Sequence, residues 1–149
     1  MEVRSARAND SDAWLRMRVA LWPDDPREHR AAIDRYFTGH HHEPAEVLIA
    51  FAADGTAIGF AELSIRNIVD SCVTDRVGYL EGWYVDPAFR RQGLGRALVR
   101  AAEQWASAQG CTEFASDALI DNDVSRAGLL ALGFEETGQV RNFRKNLPT

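Results

Sequence analysis

A short loop rich in arginine and glycine carries the residue types that point most directly to chemistry. Residues 90–95 read Arg-Arg-Gln-Gly-Leu-Gly. They follow an apolar, β-prone run from Val77 to Val85, which Asp86-Pro87 ends. Apolar residues then recur at helical spacing between residues 94 and 105. The pattern therefore predicts a buried strand, a loop and a long helix.

The start of that helix predicts a binding site for a diphosphate. Gly93 and Gly95 let a ligand approach backbone N–H groups that have no partner within the helix, and the helix dipole is positive at this end. Three arginines add positive charge: Arg90, Arg91 and Arg96. A dinucleotide-binding fingerprint is excluded because the third glycine is absent, and a P-loop is excluded because no Gly-Lys-Ser/Thr follows.

Two further features allow both a functional and a structural interpretation. Trp22 lies at a break between two predicted helices, where it either forms the wall of a pocket or packs in the core. The run His40-His41-His42 could suggest a metal site. Consecutive side chains cannot all converge on one ion in regular structure, so a solvated loop is the preferred interpretation and no metal is predicted.

The remaining sequence predicts one α/β domain over residues 1–149. The element order is β-α-α-β-β-β-α-β-α-β around one mixed sheet, with a last strand or hairpin between Phe134 and Lys145. No apolar run reaches membrane-spanning length and no signal segment is evident, so the cytoplasm is the expected compartment. The net charge of −5 argues against nucleic acid and suits a cationic small molecule. Cys72 and Cys111 are expected to be free thiols.

The pattern Arg90-x-x-Gly93-x-Gly95 after a strand resembles the acetyl-CoA motif of the GNAT superfamily of N-acetyltransferases. The resemblance implies a mixed, splayed central sheet flanked by helices, with a bulge in the strand before the loop, which Gly82 would suit. It also implies two sets of cofactor contacts. The loop would hold the CoA pyrophosphate through Arg90, Arg91, Gln92, Gly93, Leu94, Gly95 and Arg96. The strand backbone would bind the pantetheine arm through Trp83, Tyr84 and Val85.

Two carboxylates fit acyl transfer to an amine. Glu81 interrupts the most apolar strand, and Asp117 follows a predicted strand over residues 113–116. Either could instead be structural: Glu81 as an edge carboxylate paired with an arginine, Asp117 as a turn former. An alkyl ammonium must lose its proton before it attacks a thioester, and a carboxylate can orient it and take that proton, directly or through water. No Ser-His-Asp or Cys-His arrangement is evident, which favours direct attack by the amine.

A closer resemblance, to the aminoglycoside 6′-N-acetyltransferases, extends over nearly the whole chain. The matching segments are Leu21-Trp22, Ser64-Ile65-Arg66, Leu80-Glu81-Gly82, Ala115-Ser116-Asp117, Asp121-Asn122 and Leu132 to Thr137. The resemblance implies that Trp22, Glu81 and Asp117 contact the aminoglycoside, that Asn122 contacts CoA, and that the protein is a homodimer. The expected reaction is acetylation of the 6′-amine by acetyl-CoA. The alternatives are a GNAT enzyme for another polyamine or small amine, and a non-catalytic CoA sensor.

Overall fold

A computed structural model describes residues 1–39 and 44–149. The histidine run at residues 40–42 lies outside the described residues. The chain forms two compact units, Met1–Asp117 and Ala118–Thr149. A single domain over residues 1–149 therefore stays a prediction.

The first unit contains one mixed sheet. Its strands are β1 (Glu2–Ser5), β2 (Glu46–Phe51), β3 (Ala57–Arg66), β4 (Val77–Val85) and β5 (Phe114–Ser116). They lie in the order β1-β2-β3-β4-β5; the first four are antiparallel, and β5 is parallel to β4. The helices of this unit are α1 (Ser11–Leu21), α2 (Pro26–Thr38) and α3 (Leu94–Ala108), and the second unit contains α4 (Asp123–Ala131). The predicted α/β class with a mixed sheet and flanking helices is confirmed.

Helices cover both faces of the sheet. A Cβ atom added at Gly59 in β3 would lie 3.2 Å from Leu98 of α3, whereas the neighbouring Phe60 belongs to the core cluster that contains Trp14 of α1 and Ile33 of α2. Successive residues of a strand point to opposite faces. It follows that α3 packs on one face of the sheet, and α1 and α2 pack on the other.

A bulge in β4 moves one carboxylate out of the regular ladder. Glu62 of β3 pairs with Gly82, and the next residue, Leu63, pairs with Leu80. Glu81 is therefore the extra residue of the bulge, one position before the glycine that the sequence pointed to. Gly78 and Gly82 would face the same side of a regular strand, but the bulge makes them face opposite sides of the sheet. An added Cβ at Gly78 would meet Ala106 of α3, and one at Gly82 would meet Trp22.

The sheet is splayed beside the same bulge. Strand β5 pairs with β4 only over Gly78–Leu80. Within the part of the chain that the structure describes, the backbone from Glu81 to Val85 has no strand partner on that side. The predicted splay is thus present at the half of β4 that leads into the glycine loop.

The predicted last strand is wrong. Residues 134–149 form no strand, and their large apolar side chains Val140, Phe143 and Leu147 are exposed. A strand requires a neighbouring backbone to complete its hydrogen bonds, and no segment among residues 1–39 and 44–149 pairs with this one.

Two smaller observations complete the fold. Cys72 and Cys111 are both free, as predicted. None of the helices in the described ranges is long and apolar enough to cross a lipid bilayer.

Candidate active site

The glycine loop has the backbone conformation of an anion-binding turn. Gly93 is the N-cap of α3 with φ of +81°, and Arg91 also lies in the left-handed region with φ of +66°. A left-handed non-glycine residue is strained by about 1–3 kcal/mol and is typical of binding sites. The Ala97 amide donates to the Gly93 carbonyl at 3.0 Å, and this is the first hydrogen bond of the helix. The three preceding amides, of residues 94–96, thus point out of the helix end.

Close packing joins the start of α3 to β4. An added Cβ at Gly95 would lie 2.8 Å from the Trp83 indole, so only glycine lets the helix approach this closely. The Trp83 Nε1 atom is buried and has no hydrogen-bond partner in the described part of the chain. A ligand oxygen or a water could satisfy it. Arg90 is anchored here too, because its Nε donates to the Val85 carbonyl at 2.8 Å.

The amides of residues 94–96 are therefore adjacent to the half of β4 that has no strand partner among the described residues on the side of β5, which is called the unpaired half below. Together they suit a ligand with a diphosphate group and an extended arm. The loop side chains at Arg91, Gln92 and Arg96 are exposed, and Leu94 is buried. The charged groups can thus follow a ligand at the surface, while Leu94 anchors the first turn of the helix in the core.

Glu81 is held by two residues of the neighbouring strand. Its carboxylate accepts hydrogen bonds from the Ser64 hydroxyl, from Arg66 Nε at 3.0 Å and from Arg66 Nη2 at 2.6 Å. The alternative of an arginine-paired carboxylate is therefore present. It does not exclude a binding role, since Glu81 also lines the cavity described below.

Asp117 is connected to Glu81 through two side chains that sequence reasoning did not assign to the site. The Tyr79 hydroxyl donates to the Asp117 carboxylate, and the Arg66 guanidinium carbon lies 3.6 Å from the centroid of the Tyr79 ring. Burial, followed by the bond to Asp117, raises the pKa of Tyr79 well above its usual range. The hydroxyl therefore stays protonated and keeps donating far above neutral pH.

Trp22 forms one wall of a cavity of about 460 Å³. Its ring lies over Gly82, where an added Cβ would be 2.4 Å from the indole. The cavity is lined by Arg18, Trp22, Asp24, His29, Pro44, Glu62 and Glu81. Arg18 is paired with Glu62, so Asp24 and Glu81 leave the lining with a net negative charge, which together with the aromatic wall suits a polar, cationic ligand. Trp22 and Glu81 thus line the same cavity, and their contact with an aminoglycoside stays a prediction, whereas the lining carboxylates Asp24 and Glu62 were not predicted.

Two residues that were predicted to contact CoA have side chains that are hydrogen-bonded within the protein. The Tyr84 side chain is buried, and its hydroxyl donates to Asp86 at 2.9 Å. In the C-terminal unit, Asn122 caps α4 by accepting from the Ser125 amide at 3.0 Å. The backbone of Tyr84 remains part of the unpaired half of β4, and the contact of Asn122 with CoA stays a prediction.

In the acetyl transfer that the sequence predicts, we expect Tyr84→Phe to keep kcat within about threefold of wild type. Loss of a working general acid would instead lower kcat by about 10²–10⁴-fold. Burial, followed by the bond to Asp86, raises the pKa of Tyr84, so its hydroxyl is a weaker acid than an ordinary tyrosine. Steady-state kinetics over a range of pH test this. A hundredfold loss of kcat with intact acetyl-CoA binding would identify Tyr84 as an acid.

No group of three His, Cys, Asp or Glu side chains could share a metal ion among residues 1–39 and 44–149.

Known proteins resemble this chain over almost its full length. The model of the acetyltransferase (GNAT) family matches residues 14–134. An aminoglycoside N(6′)-acetyltransferase type 1 of Klebsiella aerogenes is 53% identical over 146 residues, covering 97% of this chain and 96% of the relative. One from Stenotrophomonas maltophilia is 40% identical over 148 residues, covering 97% and 93%.

Solved structures of similar proteins share the fold. The aminoglycoside 6′-N-acetyltransferase AAC(6′)-IG of Acinetobacter haemolyticus has a TM-score of 0.91 at 39% identity, covering 99% of this chain and all of the other. AAC(6′)-Iy, in complex with the bisubstrate analogue CoA-S-monomethyl-acetylneamine, has a TM-score of 0.89 at 37% identity, covering 98% of each chain. With its amide-lined loop and its splayed, bulged β4, the chain belongs to the acetyltransferase (GNAT) family.

Proposed function

We propose that this protein transfers the acetyl group of acetyl-CoA to the 6′-amine of aminoglycosides. The observation that carries the proposal is the 53% identity, over 97% of the chain, with an aminoglycoside N(6′)-acetyltransferase. The geometry supports it, because a diphosphate-binding helix start and a carboxylate-lined cavity both adjoin the bulged strand β4.

Acetyl-CoA would bind along the loop and the unpaired half of β4. The amides at the start of α3 would hold its diphosphate, with Arg90, Arg91 and Arg96 adding charge. The backbone of Trp83 to Val85 would bind the extended arm, because no strand in the described part of the chain pairs with it on the splayed side. Bound in this way, the cosubstrate would lie beside the bulge residue Glu81.

The acceptor would bind through its positive charges. Trp22 offers an apolar wall, while Glu81 and Asp117 attract the ammonium groups and orient the 6′-amine. The ammonium first gives up one proton to a carboxylate, directly or through water, and the neutral amine nitrogen attacks the thioester carbonyl carbon. A C–N bond forms and the C–S bond breaks. The nitrogen then loses a second proton, which neutralises the CoA thiolate that leaves. Because Glu81 already accepts three hydrogen bonds, anchoring the charge is its main role in this scheme.

A matched pair of substrates tests the reaction and its position. Neomycin and paromomycin differ only at C6′, which carries an amine in the first and a hydroxyl in the second. We expect thiol release from acetyl-CoA with neomycin, and release that is slower by at least about a hundredfold with paromomycin. Equal rates with both would overturn the 6′ assignment. Release with spermidine alone would favour a small-amine enzyme, and CoA binding without any turnover would favour a sensor.

The proposal includes a homodimer. A homodimer would cover the large apolar side chains exposed in the C-terminal unit, which are Leu119, Ile120, Val124, Leu130, Val140, Phe143 and Leu147. Light scattering after gel filtration tests the dimer, and a monomeric mass at micromolar concentration would contradict it.

The cytoplasm is the proposed compartment, because acetyl-CoA is made and used there. A single GNAT domain is supported by the family match, which continues across residue 117.

A further inference from the structure

A buried carboxylate of β3 begins a chain of hydrogen bonds that leads to the cavity wall. Glu62 is only 2% exposed. It accepts from Trp14 Nε1 at 3.0 Å, from Arg18 Nε at 2.6 Å and from Arg18 Nη2 at 3.2 Å. A buried carboxylate needs such partners, and a well-packed apolar group of similar volume would often be at least as stable. Stability alone therefore does not explain why this site is charged.

The chain continues through a histidine to the backbone of Trp22. Arg18 Nη1 lies 3.1 Å from His29 Nδ1, and His29 Nε2 lies 2.8 Å from the Trp22 carbonyl oxygen. A guanidinium can only donate, so Nδ1 accepts. Nε2 then carries the proton and donates it to the Trp22 carbonyl. The donor and the acceptor of each hydrogen bond between Glu62 and Trp22 are thus assigned.

Trp22 is the point where this chain meets the cavity. It follows the last residue of α1, and its carbonyl also accepts from the Asp24 amide at 2.7 Å, which forms the turn into α2. The Arg18 guanidinium carbon lies 5.2 Å from the centroid of the Trp22 ring, on which it packs. Arg18 and His29 therefore hold both the ring and the peptide of Trp22, and both residues line the same cavity as Glu81.

We propose that Arg18 and His29 are positioning residues for the acceptor. They hold Trp22 and the turn at Asp24 at the distance from Glu81 that an aminoglycoside ring requires. The inference rests on the proposed function, since it assigns the cavity to the aminoglycoside. A purely structural role would lower the melting temperature and leave the Michaelis constants alone, whereas a positioning role changes KM for the aminoglycoside and not KM for acetyl-CoA.

Two substitutions at position 29 separate the roles of the two ring nitrogens. In His29→Gln the side-chain amide nitrogen reaches the place of Nε2 and can still donate to the Trp22 carbonyl. In His29→Asn the side-chain oxygen reaches the place of Nδ1, but the amide is too short to bond to Trp22. We expect KM for neomycin to stay within about threefold in His29→Gln and to rise about tenfold or more in His29→Asn, the effect of one lost buried hydrogen bond. KM for acetyl-CoA and kcat should stay within about threefold in both.

A control and a second variant keep the test decisive. Arg4 donates to Asp10 at 2.8 Å, and neither residue lines the cavity, so Arg4→Gln should lower the melting temperature and leave both KM values unchanged. If His29→Asn does not fold, Arg18→Lys replaces it. A lysine keeps the positive charge beside Glu62 but lacks the branched guanidinium, of which one nitrogen reaches His29. We therefore expect the same rise in KM for neomycin.

Each outcome decides the question. A selective rise of neomycin KM in His29→Asn or Arg18→Lys, restored in His29→Gln, supports the positioning role. Wild-type neomycin KM in both His29→Asn and Arg18→Lys, or equal rises in His29→Gln and His29→Asn, overturns it while the proposed function stands. If calorimetry detects neither binding nor acetylation of neomycin by the wild-type protein, the proposed function fails, and this inference fails with it.

Discussion

Gly93→Asp is expected to weaken CoA binding by about two orders of magnitude, while Gly93→Asn weakens it by about tenfold or less. An added Cβ at Gly93 has no atom within 4 Å, so neither side chain causes a clash. Both residues tolerate the left-handed conformation better than other side chains do. The difference between the two variants is thus mainly one negative charge beside the bound diphosphate. At 4 Å, the repulsion by each phosphate charge is between about 1 kcal/mol in bulk water and about 4 kcal/mol near a protein surface.

Calorimetric titration with CoA measures both affinities, and circular dichroism checks that the helix content of the protein is retained. Raising the salt concentration should narrow the gap between the two variants, because exposed charges are screened within about 8 Å at physiological ionic strength. Equal CoA affinities for the aspartate and asparagine variants would show that the diphosphate does not bind at this helix start.

Glu81→Gln and Asp117→Asn are each expected to lower kcat/KM for neomycin by about a hundredfold, with KM for acetyl-CoA within about twofold of wild type. Both changes remove one negative charge and keep the shape of the side chain. A hundredfold loss corresponds to about 2.7 kcal/mol of transition-state stabilisation, which is in the range for a desolvated, charge-assisted hydrogen bond. Glu103→Gln is the matched control, because it changes the net charge equally at an exposed position of α3.

The Glu81 variant has a second expected consequence. Arg66 keeps its positive charge when the carboxylate that it contacts is removed, and that charge then repels the cationic acceptor. The double variant Glu81→Gln/Arg66→Gln should therefore regain part of the loss, about three- to tenfold relative to Glu81→Gln. Wild-type kcat/KM in both single variants, for every aminoglycoside with a 6′-amine, would show that these carboxylates do not bind the acceptor.

The local elements were predictable because their signals are contained within a few consecutive residues. The apolar run Val77–Val85 is β4 in the structure, and the helical spacing after Gly93 is α3, Leu94–Ala108. Asp25 caps α2 from just before Pro26, as a helix start of that composition predicts. The arginine- and glycine-containing motif also identified the family, since it combines the loop, the helix start and their charge in six adjacent residues.

The side of the site that we propose for the acceptor depends on strand pairings that no local pattern contains. Gly82 indicated a bulge, but only the register of Leu63 with Leu80 shows that Glu81 is the extra residue. Arg66 meets Glu81 across 15 positions, and Tyr79 meets Asp117 across 38. These contacts depend on which strands are neighbours and in which register, and both are set by packing across the whole sheet.

The sequence by itself determined the strand, the glycine loop and the helix that we propose to bind the cosubstrate, because backbone conformation and helix-end charge follow from residues close together in the chain. Only the tertiary structure decided what surrounds the proposed acceptor cavity: Glu62 is bonded to Trp14 across 48 positions, and Trp22 is placed over Gly82 by the packing of α1 on the sheet. The same reason explains the segment after Phe134. The segment contains β-prone residues such as Val140 and Phe143, but a strand forms only where another backbone completes its hydrogen bonds.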